Sequence, residues 1–227
     1  MKKLVLSLCI LVVAFTLKAQ DDQKITFGAQ ASILSSTASY SAVDNSGATS
    51  PTTSASAIIG FRIGGYVNIP FNDKISFAPG LNFLSKGAKT MEATSYYSGD
   101  VTIHGSYLEL PLNFFYTGVK WFKFGLGPVL SYGIGGSYSA NITTFGSAPQ
   151  SQSGSVKFDG NGNAGDGNVH LKAFEFGANL IAGYNITPHI SASLLYNTSF
   201  TNTYANQTGY SDSYKTSYFG LSVGYEF

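Results

Sequence analysis

Between Tyr107 and Tyr116 the chain reads Y-L-E-L-P-L-N-F-F-Y. Leu108, Leu110, Leu112, Phe114 and Tyr116 share one parity, and Tyr107, Glu109, Pro111, Asn113 and Phe115 share the other. Alternate side chains of a strand point the same way, so one face is continuously apolar while the other carries a carboxylate. About ten residues let a tilted strand cross a bilayer, whereas a helix needs about 20. Seven further segments, 24–34, 57–69, 75–86, 121–138, 171–186, 190–200 and 214–227, keep the same alternation. The pattern predicts eight strands.

The connections alternate as well. Segments 35–56, 87–103, 139–170 and 201–213 are long and rich in Ser, Thr, Gly and Asn, whereas 70–74, 117–120 and 187–189 are short. That order predicts an all-β fold, an eight-stranded antiparallel up-and-down transmembrane β-barrel. Both termini and the short turns would then face the periplasm, and the long loops the cell exterior. Pro79, Pro111 and Pro128 fall inside three successive strands. A closed barrel has no edge for a residue that cannot donate to a ladder, so bulges or local breaks are expected there.

Alternation alone also fits a soluble eight-stranded barrel with its apolar face inward. Charge decides between the two. Charged residues make up 11% of the chain, against about 25% in an ordinary soluble domain. A soluble barrel needs many Lys, Arg, Asp and Glu on its outer face. Here the polar face is mostly Gly, Ser, Asn and Gln, which suits a crowded interior. Aromatic residues, 15% of the chain, lie near strand ends as in interfacial girdles.

Residues 1–19 have a Lys2-Lys3 start, an apolar core and Ala19 at the end, the pattern of a secretory signal peptide cut before Gln20. The barrel domain would occupy 20–227. Without Lys2, Lys3 and Lys18, ten basic residues face twelve acidic ones, a net charge of about −2. No basic run points to nucleic acid. The single cysteine, Cys9, lies in the leader, so the exported chain has no disulfide or thiolate metal site.

Several pieces resemble the PorT-like outer-membrane barrels of Bacteroidetes-type bacteria. They are F-A-P-G-L-N-F-L-S-K-G-A-K (77–89), Y-L-E-L-P-L (107–112), F-G-L-G-P-V-L-S-Y (124–132), S-Y-F-G-L-S-V-G-Y-E-F (217–227) and the K-A-Q leader end. The resemblance implies a monomeric barrel in the cell outer membrane, in contact with lipid and lipopolysaccharide. It also implies that the terminal Phe227 is an assembly signal for the barrel-assembly machinery. Some members of that family belong to the type IX secretion apparatus, which makes secretion-apparatus subunits candidate partners.

Candidate chemistry is sparse. Arg62, Glu109, Lys123 and Glu175 have inward parity. An eight-stranded barrel is just filled by side chains, so these charges are expected to meet across the lumen as a structural network. A narrow pore for small solutes or protons is the competing reading. Asp159-Gly-Asn-Gly-Asn163 with Asp166 resembles the start of a calcium loop, but Ala164 and His170 stand where that pattern wants Gly and Glu. A Gly/Asn loop without metal is expected. His104 and His170 lie near the outer rim among serines and acids, yet no nucleophile motif accompanies them. No enzymatic activity and no cofactor are expected. His189, after Pro188, reads as a solvated turn residue. The patterns at Asn141 and Asn206 match glycosylation acceptors by composition.

Overall fold

The computed structural model describes residues 24–41, 53–93, 97–144, 146–162, 165–205 and 213–227. The expected leader lies outside them. Among the described residues the strands are β1 (Thr26–Ser41), β2 (Thr53–Ser54), β3 (Ile58–Asn72), β4 (Ile75–Ala93), β5 (Tyr97–Val119), β6 (Phe122–Thr144), β7 (Gln150–Lys157), β8 (Val169–His170), β9 (Phe174–Asn185), β10 (Ile190–Ser199) and β11 (Ser213–Glu226). Eight of them close a ring in the order β1-β3-β4-β5-β6-β9-β10-β11 and back to β1. Every neighbouring pair in that ring is antiparallel.

The two faces are inverted relative to a soluble barrel. Ile33, Ile59, Leu81, Leu126, Phe174 and Leu221 stand exposed, while Arg62, Asn82, Glu109, Asn113, Glu175 and Asn179 are buried inside. An apolar outer wall around a polar interior is stable only where hydrocarbon surrounds it. Aromatic pairs mark both ends of that wall. Phe77 and Phe114 (4.8 Å) and Phe122 and Tyr184 (5.2 Å) lie near the short turns, and Tyr132 and Phe174 (5.0 Å) lie toward the other end.

The structure departs from the expected loops. Much of 87–103 and 139–170 is not loop but ladder. β4 and β5 pair out to Ala93 and Ser98, and β5 and β6 out to Tyr97 and Thr144. β7 adds to the outer part of β6, and two residues of β8 pair with β7 in parallel. β5 and β6 each have 23 residues, roughly twice what a tilted stave needs. One side of the barrel therefore rises well above the apolar belt. Thr, Val, Ile and Tyr sustain the alternation there, so the polar composition concealed strands.

The prolines produce breaks without bulges. β4–β5 pairing stops at Pro79–Leu112 and resumes at Asn82–Glu109, and β5–β6 pairing stops at Pro111–Val129 and resumes at Phe114–Leu126. Register is the same on both sides of each gap, so Leu112 lies between Pro79 and Pro128 in one weakly bonded patch of wall. Beside it, a Cβ on Gly127 would sit 2.1 Å from the Leu112 carbonyl oxygen, an approach only glycine permits. Register shifts occur elsewhere, at Pro70/Asn72, Ser106/Tyr107 and Tyr116/Val119.

Candidate functional site

The middle of the lumen holds two ion pairs from four different strands. Arg62 Nε donates to Glu109 Oε1 at 2.9 Å, with the side chains 2% and 0% exposed. Asn82 donates to the same oxygen at 3.4 Å, and the Tyr218 hydroxyl donates to Glu109 Oε2 at 2.6 Å. Four residues beyond Asn82 on β4, Lys86 Nζ binds Glu175 Oε1 at 2.7 Å, and Thr216 donates to that oxygen at 2.6 Å. The Lys86 ammonium also lies over the rings of Tyr107 (4.7 Å) and Tyr218 (5.7 Å). Tyr218 thus touches both pairs, with its hydroxyl on one and its ring on the other. A buried charge is tolerable only when paired and hydrogen-bonded, and cation–π contact adds to the pairing. Two buried polar atoms of these pairs, Arg62 Nη2 and Glu175 Oε2, have no hydrogen-bond partner among the described residues.

Of the four charges expected to meet, only Arg62 and Glu109 pair with each other. Lys123 stands apart: its ammonium binds Ser191 Oγ at 3.0 Å and lies 5.7 Å over Phe115. Lys86 takes the place expected for Lys123. It was legible, because it continues the inward parity of Ala78, Asn82 and Leu84. Phe227 ends the chain near the short turns, its amide bound to Phe27 O and its ring against Tyr225 at 5.0 Å.

Apolar side chains close the lumen on the long-loop side. Leu34, Leu84, Tyr107, Ile181, Leu195 and Tyr218 form a buried cluster that reaches from there to the middle of the lumen. Phe158, beyond the end of β7, drops onto it, edge to the Tyr107 ring at 5.1 Å. Gly133 makes room: a Cβ there would lie 2.2 Å from the Phe158 ring. Above this, Val156 and Leu171 are buried with Tyr138 and Ala140. The short-turn half differs. It contains a cavity of about 230 Å³ bounded by Arg62 at its inner end, with Lys123, Asn113, Ser191, Ser222 and Glu226 among its walls.

The loop after Phe158 is tied by a charged clasp. His170 Nδ1 faces Asp159 Oδ1 at 2.7 Å, and Nε2 faces Asp166 Oδ1 at 2.9 Å. Lys157 Nζ binds the other Asp166 oxygen at 2.6 Å. A carboxylate only accepts, so both ring nitrogens donate and the clasp holds an imidazolium. The hydrogen bonds to Asp166 and then Asp159 raise the His170 pKa above the usual histidine value. The bonds from Lys157 and His170 hold Asp166 far below the usual carboxylate range, and the His170 bond lowers Asp159 likewise. The two aspartates considered for calcium are thus engaged with His170, while Asn163 and Ala164 of that pattern lie outside the described residues. Among the described residues no group of His, Cys, Asp or Glu is placed to hold a metal.

The other histidines sit apart from any such cluster. His104 lies on β5 opposite Gly87 and Ser137. His189 is engaged rather than simply solvated: Nδ1 lies 2.9 Å from the Glu226 carbonyl oxygen, and the ring stacks on Tyr225. Asn141 bonds Asp100 and Ser151; Asn206 lies outside the described residues.

Among curated proteins, none matches the chain. Similar solved structures include Ail, the attachment invasion locus protein of Yersinia pestis. It is 16% identical, with 88% of this chain and 99% of that one covered and a TM-score of 0.36. Neisserial surface protein A is 14% identical, with 90% and 100% covered and a TM-score of 0.40. The outer membrane protease OmpT from Escherichia coli is 11% identical, with 92% and 100% covered and a TM-score of 0.34. Residues 19–205 match the model of the outer membrane protein beta-barrel domain. Inverted faces, a closed ring of eight strands and that match over most of the sequence lead to one assignment: the chain belongs to the outer membrane protein β-barrel domain family.

Proposed function

We propose that this outer-membrane barrel is a plugged, monomeric stave ring with a structural or interaction role at the cell surface. Its short turns face the periplasm and its long hairpins stand outside. The observation that supports this reading is the filling of the outer half of the lumen, where two ion pairs lie beneath Phe158 and Leu171. The test is conductance of the refolded chain in a planar bilayer. No steady channel is expected; a steady current that persists when the loops are deleted overturns the reading in favour of a narrow pore.

The polar cavity in the short-turn half is the observation that favours the pore as a second reading, since it already opens half of a path. A PorT-like kinship and a place in a type IX-like secretion apparatus remain a narrower proposal, as does recognition of Phe227 by the assembly machinery. Crosslinking and affinity capture from native outer membranes test the secretion role. Stoichiometric recovery of secretion-apparatus subunits makes the barrel a machine component, and recovery of the barrel alone leaves a stand-alone surface protein.

A further inference from the structure

Charge is almost absent from the outward face of the barrel, so the exceptions stand out. On the tall side, Lys89 of β4 is neutralised by Asp100 of β5 at 3.4 Å. On the low side, Lys172 and Lys215 are the cations immediately beyond the apolar wall, and neither ammonium group makes a hydrogen bond or ion pair among the described residues. They are neighbours through one intervening segment. The Lys172 amide donates to Thr203 O, and the Thr203 amide donates to the O of Tyr214, the residue before Lys215. Two strand spacings put their Cα atoms about 10 Å apart. Leu171, Thr203 and Tyr214 are buried inward, so alternation along β11 turns Lys215 outward, and Lys172, in the link between β8 and β9, is half-exposed. Below them the wall is bare phenylalanine: Phe174, Phe200 and Phe219 are 73%, 54% and 51% exposed.

We infer that Lys172 and Lys215 form a binding site for the phosphate groups of an outer-leaflet glycolipid. The phenylalanines lie against its acyl chains. The site is continuous with the lipid-facing wall, and its positive charge, unpaired among the described residues, complements a phosphorylated headgroup. Each lysine stem lies along apolar surface while its ammonium reaches the headgroup layer. The low rim at β9 and β10 leaves room for a bulky headgroup, which the tall β4–β6 wall does not. The inference rests on the long-loop end facing outward, which protease access to the 146–149 turn on intact cells tests separately.

The experiment uses the full chain refolded in detergent, with native mass spectrometry after incubation with lipid A, enzymatically dephosphorylated lipid A, or phosphatidylglycerol. Retention of lipid A over both other lipids is expected. A cation near an anionic lipid surface is worth about fivefold, so K172S and K215S should each lose about that factor and the double variant about 25-fold. K24S/K74S, at the opposite end, should lose nothing. A heat-dependent gel shift confirms that each variant is folded. Equal retention of the dephosphorylated lipid, an undiminished double variant, or an equal loss in K24S/K74S overturns the site. Equal retention of phosphatidylglycerol overturns the glycolipid assignment.

Discussion

The two halves of the lumen are built on the same alternation and filled in opposite ways. Toward the long loops, charges are paired, tyrosines bridge them, and Phe158 and Leu171 close the top. Toward the short turns, Ser, Asn and Gly leave a cavity, and Lys123 is held by a serine hydroxyl rather than a carboxylate. Side-chain volume accounts for the contrast. Eight strands enclose a space that large residues fill and small ones do not. A closed ring therefore does not by itself settle whether a barrel is solid; the inward residues at each height do.

The sharpest way to break this contrast is to remove one charge from the solid half. Arg62→Met leaves Glu109 buried beside Tyr218 without its cation, and should cost about 3–5 kcal/mol in urea unfolding from lipid vesicles. Adding Glu109→Leu removes the uncompensated charge and should restore most of that loss. A double variant as unstable as Arg62→Met alone would show that the pair is not the unit of stability. Next in size is Gly133→Ala, whose new Cβ meets the Phe158 ring. Overpacking of this kind costs about 1–3 kcal/mol, and displacement of Phe158 should speed proteolysis of the 158–171 loop. Unchanged cleavage would mean the lid does not depend on that seat.

Lys123→Met probes the open half and should cost less than about 1 kcal/mol, because the ammonium borders a cavity and has no ion-pair partner among the described residues. A loss as large as that of Arg62→Met would erase the distinction between the halves.

The smallest effect is the pH response of the clasp. The His170 pKa is raised by its two aspartates, so its contribution is complete below the unfolded value of about 6.5 and fades as pH rises through the folded value. Asp159 and Asp166 are lowered, so theirs is complete above about 3.9 and fades as pH falls through their folded values. The clasp should therefore be tightest between those limits, read as the largest amide-exchange protection factors at Gly160 and Asn168, whose N–H groups bond Leu171 O and Asp166 Oδ1. Titration of His170 at its ordinary value, with exchange protection flat on the alkaline side, would remove the clasp from the account.

The sequence by itself determined the strand class, the number of staves and the direction each side chain faces. Alternation at Leu108, Glu109 and Leu110 leaves no other reading once charge is so scarce. It also showed that Arg62, Glu109, Lys123 and Glu175 turn inward, because parity is local information. Height is not local. It depends on the stagger between strands that closing the sheet imposes, so only the folded ring decided that Glu175 meets Lys86 and that Lys123 stays below. The ring also made ladders of segments whose Ser/Thr-rich composition reads as loop, since a strand extended beyond the membrane is held by its neighbour rather than by lipid. Parity is written along one strand; partners are decided only when eight of them close.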